Sequence, residues 1–187
     1  MNKQRGQCKP IILPVDHIKQ KNICGCGLAA IEMVLKYYGA TDTQTDFCKD
    51  KHINKQVENA KSGLSEGTLG VLALKRGYDI LIFSTNPRLN KTFLRLGGKV
   101  RRIKTDKDLI IKCLTKKIPP IVLIPKVSEA YEFEKEEIGH YVVINGVDHK
   151  CKLSVKDPQY THVPKQEYWD EWSSSLLEIT PANRLGA

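Results

Sequence analysis

Residues 20–39 read QKNICGCGLAAIEMVLKYYG, and this stretch decides the fold. From Cys26 onward, Ala29, Ala30, Met33, Val34 and Tyr37 recur at helical spacing, and Gly39 is a natural stop. The pattern predicts a helix over Cys26–Tyr38. A thiol at the start of a helix sits where free N–H groups and the helix dipole favour an anion. Gly25 and Gly27 flank it and let another backbone approach closely. A nucleophilic thiol needs deprotonation, access from a cleft and donors for an oxyanion. Cys26 is therefore the candidate nucleophile. Gln20, six residues earlier, carries a side-chain amide placed to act as an oxyanion donor.

A base has to come from elsewhere in the chain. Of the five histidines, His140 stands apart, because it follows Gly139 at the entrance of a predicted strand, Tyr141–Val147. A partner strand, Lys152–Val155, is joined to it across Asp148-His149-Lys150 in the manner of a hairpin. Asp157, before Pro158, lies at the far end of that partner. Cross-strand pairing brings it back beside His140, where a carboxylate can orient the imidazole and stabilise its charged form.

The rest of the chain supplies a frame for these residues. Val15–Gln20 reads as an extended lead-in, and residues 41–59 as a polar stretch with a short helix. A helix is predicted over Ser65–Gly77, with Thr68 as its cap, then a strand at Ile80–Phe83. A short helix follows around Leu89–Leu96. The next helix, Thr105–Lys117, points Leu109, Ile110, Cys113 and Leu114 inward, and Pro119-Pro120 breaks it. Ile121–Ile124 is a buried-strand run; Gln166–Trp172 reads as a short helix and Leu176–Ile179 as a last strand. Helices come first and an antiparallel sheet follows, which defines an α+β domain. No repeat or linker divides the 187 residues, so residues 1–187 are expected to form one domain.

Composition excludes several classes. Apolar residues make up 41%, an ordinary soluble value, and no apolar run reaches the length of a membrane span. Met1–Lys9 is basic but lacks the apolar stretch of an export signal, so a cytoplasmic location is expected. The net charge of +9 comes from dispersed lysines. The densest basic run, Lys99–Lys104, has no aromatic interleaving, so it reads as solvated surface and no nucleic acid is expected. The six cysteines have irregular spacing, which fits reduced thiols better than a disulfide framework. Cys113 and Cys151 read as small core residues. Cys24-Gly25-Cys26 with His17 falls short of the four ligands of a structural metal site, so neither metal nor cofactor is expected. Redox control, with Cys24 trapping an oxidised Cys26, is a minor alternative on the same footing as a metal site.

Several of these segments resemble one family. Gln20, then Cys26-Gly27-Leu28-Ala29, Met33, Leu35 and Tyr37-Tyr38-Gly39 are similar to the nucleophile segment of the C39 peptidases. These are papain-like domains that cut double-glycine leader peptides from bacteriocin precursors. Gly139-His140-Tyr141-Val142-Val143 resembles the family's histidine strand, and the stretch to Asp157-Pro158 its aspartate turn. Val163, Trp169, Trp172 and Leu176–Ile179 resemble its closing helix and strand. The resemblance implies a papain-like fold, with the nucleophile helix packed on the C-terminal antiparallel sheet. It implies Cys26 as nucleophile, His140 as general base and acid, Asp157 as orienter and Gln20 as oxyanion donor. One departure is Gly25, where the family usually has Asp. Another is the lack of a fused ABC transporter, which implies a stand-alone relative able to work beside a separate transporter.

The expected activity is a thiol peptidase cutting after small residues, on a peptide or protein substrate such as a double-glycine leader. The same site also suits a deamidase, transglutaminase or acyltransferase, and related domains without catalysis only bind peptides. Leu94-Arg95-Leu96-Gly97-Gly98 is itself similar to a double-glycine cleavage site, though a turn before a strand near Val100 is the more ordinary reading. Trp169 and Trp172 read as packing residues. The acidic run Glu129–Glu137 is expected to be a loop bordering the cleft.

Overall fold

The computed structural model describes residues 8–22, 25–58, 63–131, 139–160, 164–172 and 174–182. In chain order the elements are β1 (Ile11–Ile12), α1 (Cys26–Tyr37), α2 (Gln44–Phe47), α3 (Lys51–Glu58), α4 (Glu66–Leu74) and β2 (Tyr78–Phe83). Then come α5 (Lys91–Arg95), β3 (Lys99–Arg101), α6 (Lys107–Thr115), β4 (Ile121–Ile124) and α7 (Val127–Ala130). β5 (His140–Val147), β6 (Leu153–Lys156), α8 (Tyr168–Glu171) and β7 (Leu176–Pro181) complete the described chain.

The helix that opened the sequence reading is the centre of the fold. Every residue of α1 from Cys26 to Leu35 is buried. It packs on β5, α4 and β4. Its end is a Schellman cap: the Gly39 N–H donates to the Lys36 carbonyl and the Ala40 N–H to the Leu35 carbonyl, with Gly39 at φ +92°. Glu32, buried within α1, accepts from both the backbone and side-chain nitrogens of Gln44 at 3.0 Å each. That pairing offsets the cost of enclosing a carboxylate.

The sheet has seven strands in the order β1-β5-β4-β7-β2-β3, with β6 also on β5. All pairs are antiparallel except β2 with β3. The α+β fold expected from the sequence is observed: β2 and β3 fall where strands were expected at Ile80–Phe83 and near Val100, and β1 is a strand the sequence did not mark. β7 lies between β4 and β2, pairing Tyr78–Phe83 with Leu176–Pro181 in full register. A long-range partner of this kind leaves no mark in the local pattern. The N-cap of α4 is Ser65, whose hydroxyl accepts from the Thr68 backbone N–H, so Thr68 is the capped residue and not the cap.

One expectation about the cysteines is overturned. Cys8 and Cys151 form a disulfide across a sequence separation of 143. Cys151 is therefore not a free core thiol. The cause is β1: it pairs Ile11 with Val147 and Ile12 with Gly146, and the same register carried back brings residue 8 beside the β5–β6 turn. Cys113 is buried on α6 as expected. Its thiol is pushed up to about 12 by burial and by the nearby Glu178 carboxylate. Among the described residues no helix is long and apolar enough to cross a membrane.

Candidate active site

Cys26 is the first residue of α1. Gly25 is its N-cap and provides no side-chain cap, and the Gly27 N–H in the first turn bonds the sulfur. A Cβ at residue 25 would stand 2.9 Å from the Asn22 carbonyl oxygen. This close approach favours glycine at position 25. A Cβ at Gly27 would meet the Leu69 side chain at 2.9 Å and the Tyr141 ring at 3.4 Å. The turn carrying Cys26 is therefore pressed against α4 and the start of β5.

His140 opens β5 and is 2% exposed. Its Nε2 lies 2.9 Å from Asp157 Oδ1. That contact leaves Nδ1 as the ring atom for the Cys26 thiol, with which His140 shares a hydrogen bond. Asp157 follows β6 directly and is 5% exposed. Its Oδ1 also accepts from the backbone N–H groups of Gln159 and Tyr160, each at 2.8 Å. Its Oδ2 accepts from the Tyr131 hydroxyl.

These contacts set the charges. Burial disfavours the Cys26 thiolate, but His140 and the backbone N–H groups of Tyr141 and Gly27 outweigh it and hold the thiol below its ordinary value. Burial likewise disfavours the His140 imidazolium, but Asp157 and Cys26 outweigh it and push the ring up to about 9. For Asp157, burial is overcome by His140, Tyr131 and the Tyr160 N–H, so the carboxyl stays below its usual range. The three groups favour thiolate, imidazolium and carboxylate together.

Gln20 ends a strap running back to the disulfide. The strap is held by β1, by the Leu13 N–H on the Asn145 carbonyl at 2.7 Å, and by the Gln20 N–H on the Pro158 carbonyl at 2.9 Å. The Gln20 amide nitrogen donates to Gln159 Oε1 at 3.2 Å. Gln20 is therefore carried to the turn that holds Asp157. His17, considered above beside a Cys-Gly-Cys pair, has its Nε2 2.6 Å from the Asp157 carbonyl oxygen. Cys24 lies outside the described residues, as do Val163 and residues 132–138 of the acidic run.

Sequence reasoning missed Tyr131, Tyr160 and the Tyr141 N–H. Tyr160 sets its ring edge-on to His140, 5.3 Å between centroids, and tilts against Tyr131 at 4.9 Å. Tyr131 follows α7, a helix of four residues too short to leave a periodic signal, and no motif marks it. The double-glycine-like stretch turns out to be a helix end. The Gly98 N–H donates to the Phe93 carbonyl and the Gly97 N–H to the Leu94 carbonyl, and Lys99 enters β3.

The family model described as the Peptidase_C39 like family matches residues 12–176. The chain belongs to this family. A C39-like peptidase from Bacillus anthracis shares the fold at a TM-score of 0.62 and 17% identity, covering 92% of this chain and 98% of that one. A double glycine motif protease from an AMS/PCAT transporter, solved in complex with the leader peptide, gives a TM-score of 0.54 at 20% identity. That comparison covers 95% of this chain and 96% of the protease. No curated protein matches the chain. The family and both structures agree with the papain-like α+β fold expected from the sequence.

Proposed function

We propose that this chain is a cysteine peptidase that cuts after small residues, with the double-glycine leader as its substrate class. The observation that carries the proposal is the contact chain from the Cys26 thiol through the His140 ring to the Asp157 carboxylate. In this reading the Cys26 thiolate attacks the carbonyl carbon of the scissile bond. The oxyanion forms hydrogen bonds to the Cys26 backbone N–H and the Gln20 amide. The His140 imidazolium gives its proton to the leaving amine, and the acyl group remains on sulfur. His140 then takes a proton from water, and water releases the acyl group. Asp157 keeps the ring oriented throughout.

The family, and the leader peptide bound to a transporter protease of the same fold, support this substrate class. A separate transporter that receives the trimmed peptide fits the same reading, and residues 1–187 act as one domain. The cytoplasmic location expected from the sequence rests on a basic start, Met1–Lys9, without an apolar export stretch. With Cys8 and Cys151 joined, an oxidising surrounding suits the protein better.

The test is a peptide of leader type with Gly-Gly before the cut, followed by product mass. Cleavage after Gly-Gly supports the proposal. A product heavier by the single mass unit of a Gln-to-Glu change, or an amine adduct, would instead indicate a deamidase or transferase. Cys26→Ala should abolish turnover, and His140→Ala should lower it by about a thousandfold or more. Unchanged turnover in Cys26→Ala would overturn the proposal.

A further inference from the structure

We propose that Tyr131 is a positioning residue of this site, holding the outer oxygen of Asp157 so that the inner one stays aligned on His140. The proposal rests on the Cys26–His140–Asp157 reading above, and goes beyond it by adding a fourth side chain.

The two oxygens of Asp157 have different surroundings. Oδ1 accepts from the His140 ring and from the Gln159 and Tyr160 N–H groups. These donors fix its position but leave the carboxylate able to turn about the axis through that oxygen. Oδ2 accepts from the Tyr131 hydroxyl. A second oxygen held by a donor on a different element stops that rotation. The donor is itself well fixed: Tyr131 is 1% exposed, and its backbone N–H closes the last turn of α7 on the Val127 carbonyl at 3.0 Å. Lys165 pins the same segment through its N–H on the Ala130 carbonyl at 2.9 Å. The Tyr160 ring fills the angle between Tyr131 and His140.

The chemistry gives the hydroxyl a second consequence. A buried carboxylate stays ionised only with enough donors. The titratable side chains facing Asp157 are His140 from β5, Tyr131 from the end of α7, and Tyr160 from its own turn; His17 reaches its backbone carbonyl. Only His140 among them brings a positive charge to the carboxylate. Tyr131 supplies a neutral donor, and burial and the neighbouring carboxylate raise its own hydroxyl far above the ordinary phenol value. It therefore remains protonated and donating wherever the site works. Removing it moves the Asp157 carboxyl toward its ordinary value. On acidification the carboxylate is then neutralised earlier, the imidazolium loses its counter-ion, and the thiolate is lost earlier too.

The test is Tyr131→Phe, which keeps the ring and removes only the hydroxyl. Two readouts are combined. The rate of Cys26 alkylation by iodoacetamide against pH reports the thiolate without any substrate. Peptide turnover reports kcat and KM. The acid limb of alkylation should move up by about one pH unit. Turnover should fall about tenfold in kcat with KM unchanged. In an Asp157→Asn background the same change should have no further effect on either readout, because the hydroxyl acts through the carboxylate.

An unmoved acid limb, or equal losses in both backgrounds, would overturn the inference. If Tyr131→Phe lowers the melting temperature too far to measure, 3,5-difluorotyrosine at position 131 replaces it. Its stronger donor should move the acid limb down, and no movement would count against the inference equally. The broader reading fails in a different way: the unsubstituted protein itself would then alkylate at Cys26 like an ordinary thiol.

Discussion

At residue scale the site is held by oppositely directed shifts. The Cys26 thiol lies below its ordinary value and the His140 ring is raised to about 9. The imidazolium–thiolate pair is present between those two values. His140 contributes stability that is fully present below its unfolded value near 6.5 and is lost as pH rises through about 9. Cys26 has the opposite sign, with its contribution lost as pH falls through its lowered value. Peptide turnover plotted against pH should therefore have a basic limb near pH 9 and an acid limb below the ordinary thiol value. A basic limb near 6.5 would show that Asp157 does not charge the ring. The sequence marks Cys26, His140, Asp157 and Gln20 as candidates, because each sits next to a local signal: a helix start, a strand start, a Pro turn, or a fixed offset from the thiol. Tyr131 and the Tyr141 N–H were illegible, since their contacts depend on how distant elements are packed.

At element scale the helix ends divide into two kinds. Those of α1 and α5 place Gly39 and Gly97 in the left-handed position. α6 uses the same bonds, with the Lys117 N–H on the Leu114 carbonyl and the Ile118 N–H on the Cys113 carbonyl. There the left-handed residue is Lys117, at φ +60°. A residue with a Cβ is strained in this conformation, whereas glycine is not. Lys117 is exposed, so its side chain has little packing to lose. Lys117→Gly should stabilise the protein by about 0.5–1 kcal/mol, read as an upward shift of the urea midpoint with unchanged slope. A lower midpoint would mean that the lysine stem packs more than its exposure indicates. The sequence marked the end of α6 through Pro119-Pro120, and element types were legible wherever a period ran for several residues. β1, with two residues, and α7, with four, are shorter than any period.

At the scale of the whole molecule, the sheet could be read only in part. Strands β4 to β7 have local signals, but the insertion of β7 beside β2 is a pairing across about a hundred residues. The disulfide was missed for the same reason, since only the β1 register brings Cys8 to Cys151. Closing so long a loop should stabilise the fold by about 3–5 kcal/mol. Paired Cys8→Ser and Cys151→Ser changes should lower the denaturation midpoint accordingly. Because the strap that begins at this bond ends at Gln20, they should also lower turnover more than they slow alkylation of Cys26. Equal stability with and without the bond would leave the strap held by hydrogen bonds alone.

The bond from Cys8 to Cys151 also closes the chain between them into a covalent ring. Cys26 and His140 both lie inside the ring, while Asp157 lies beyond it. A single cut anywhere within the ring, including one after Gly98, opens the loop without releasing a fragment. On a gel a molecule nicked between Cys26 and His140 should run as one species until reductant is added, and only then separate into a piece bearing Cys26 and a piece bearing His140.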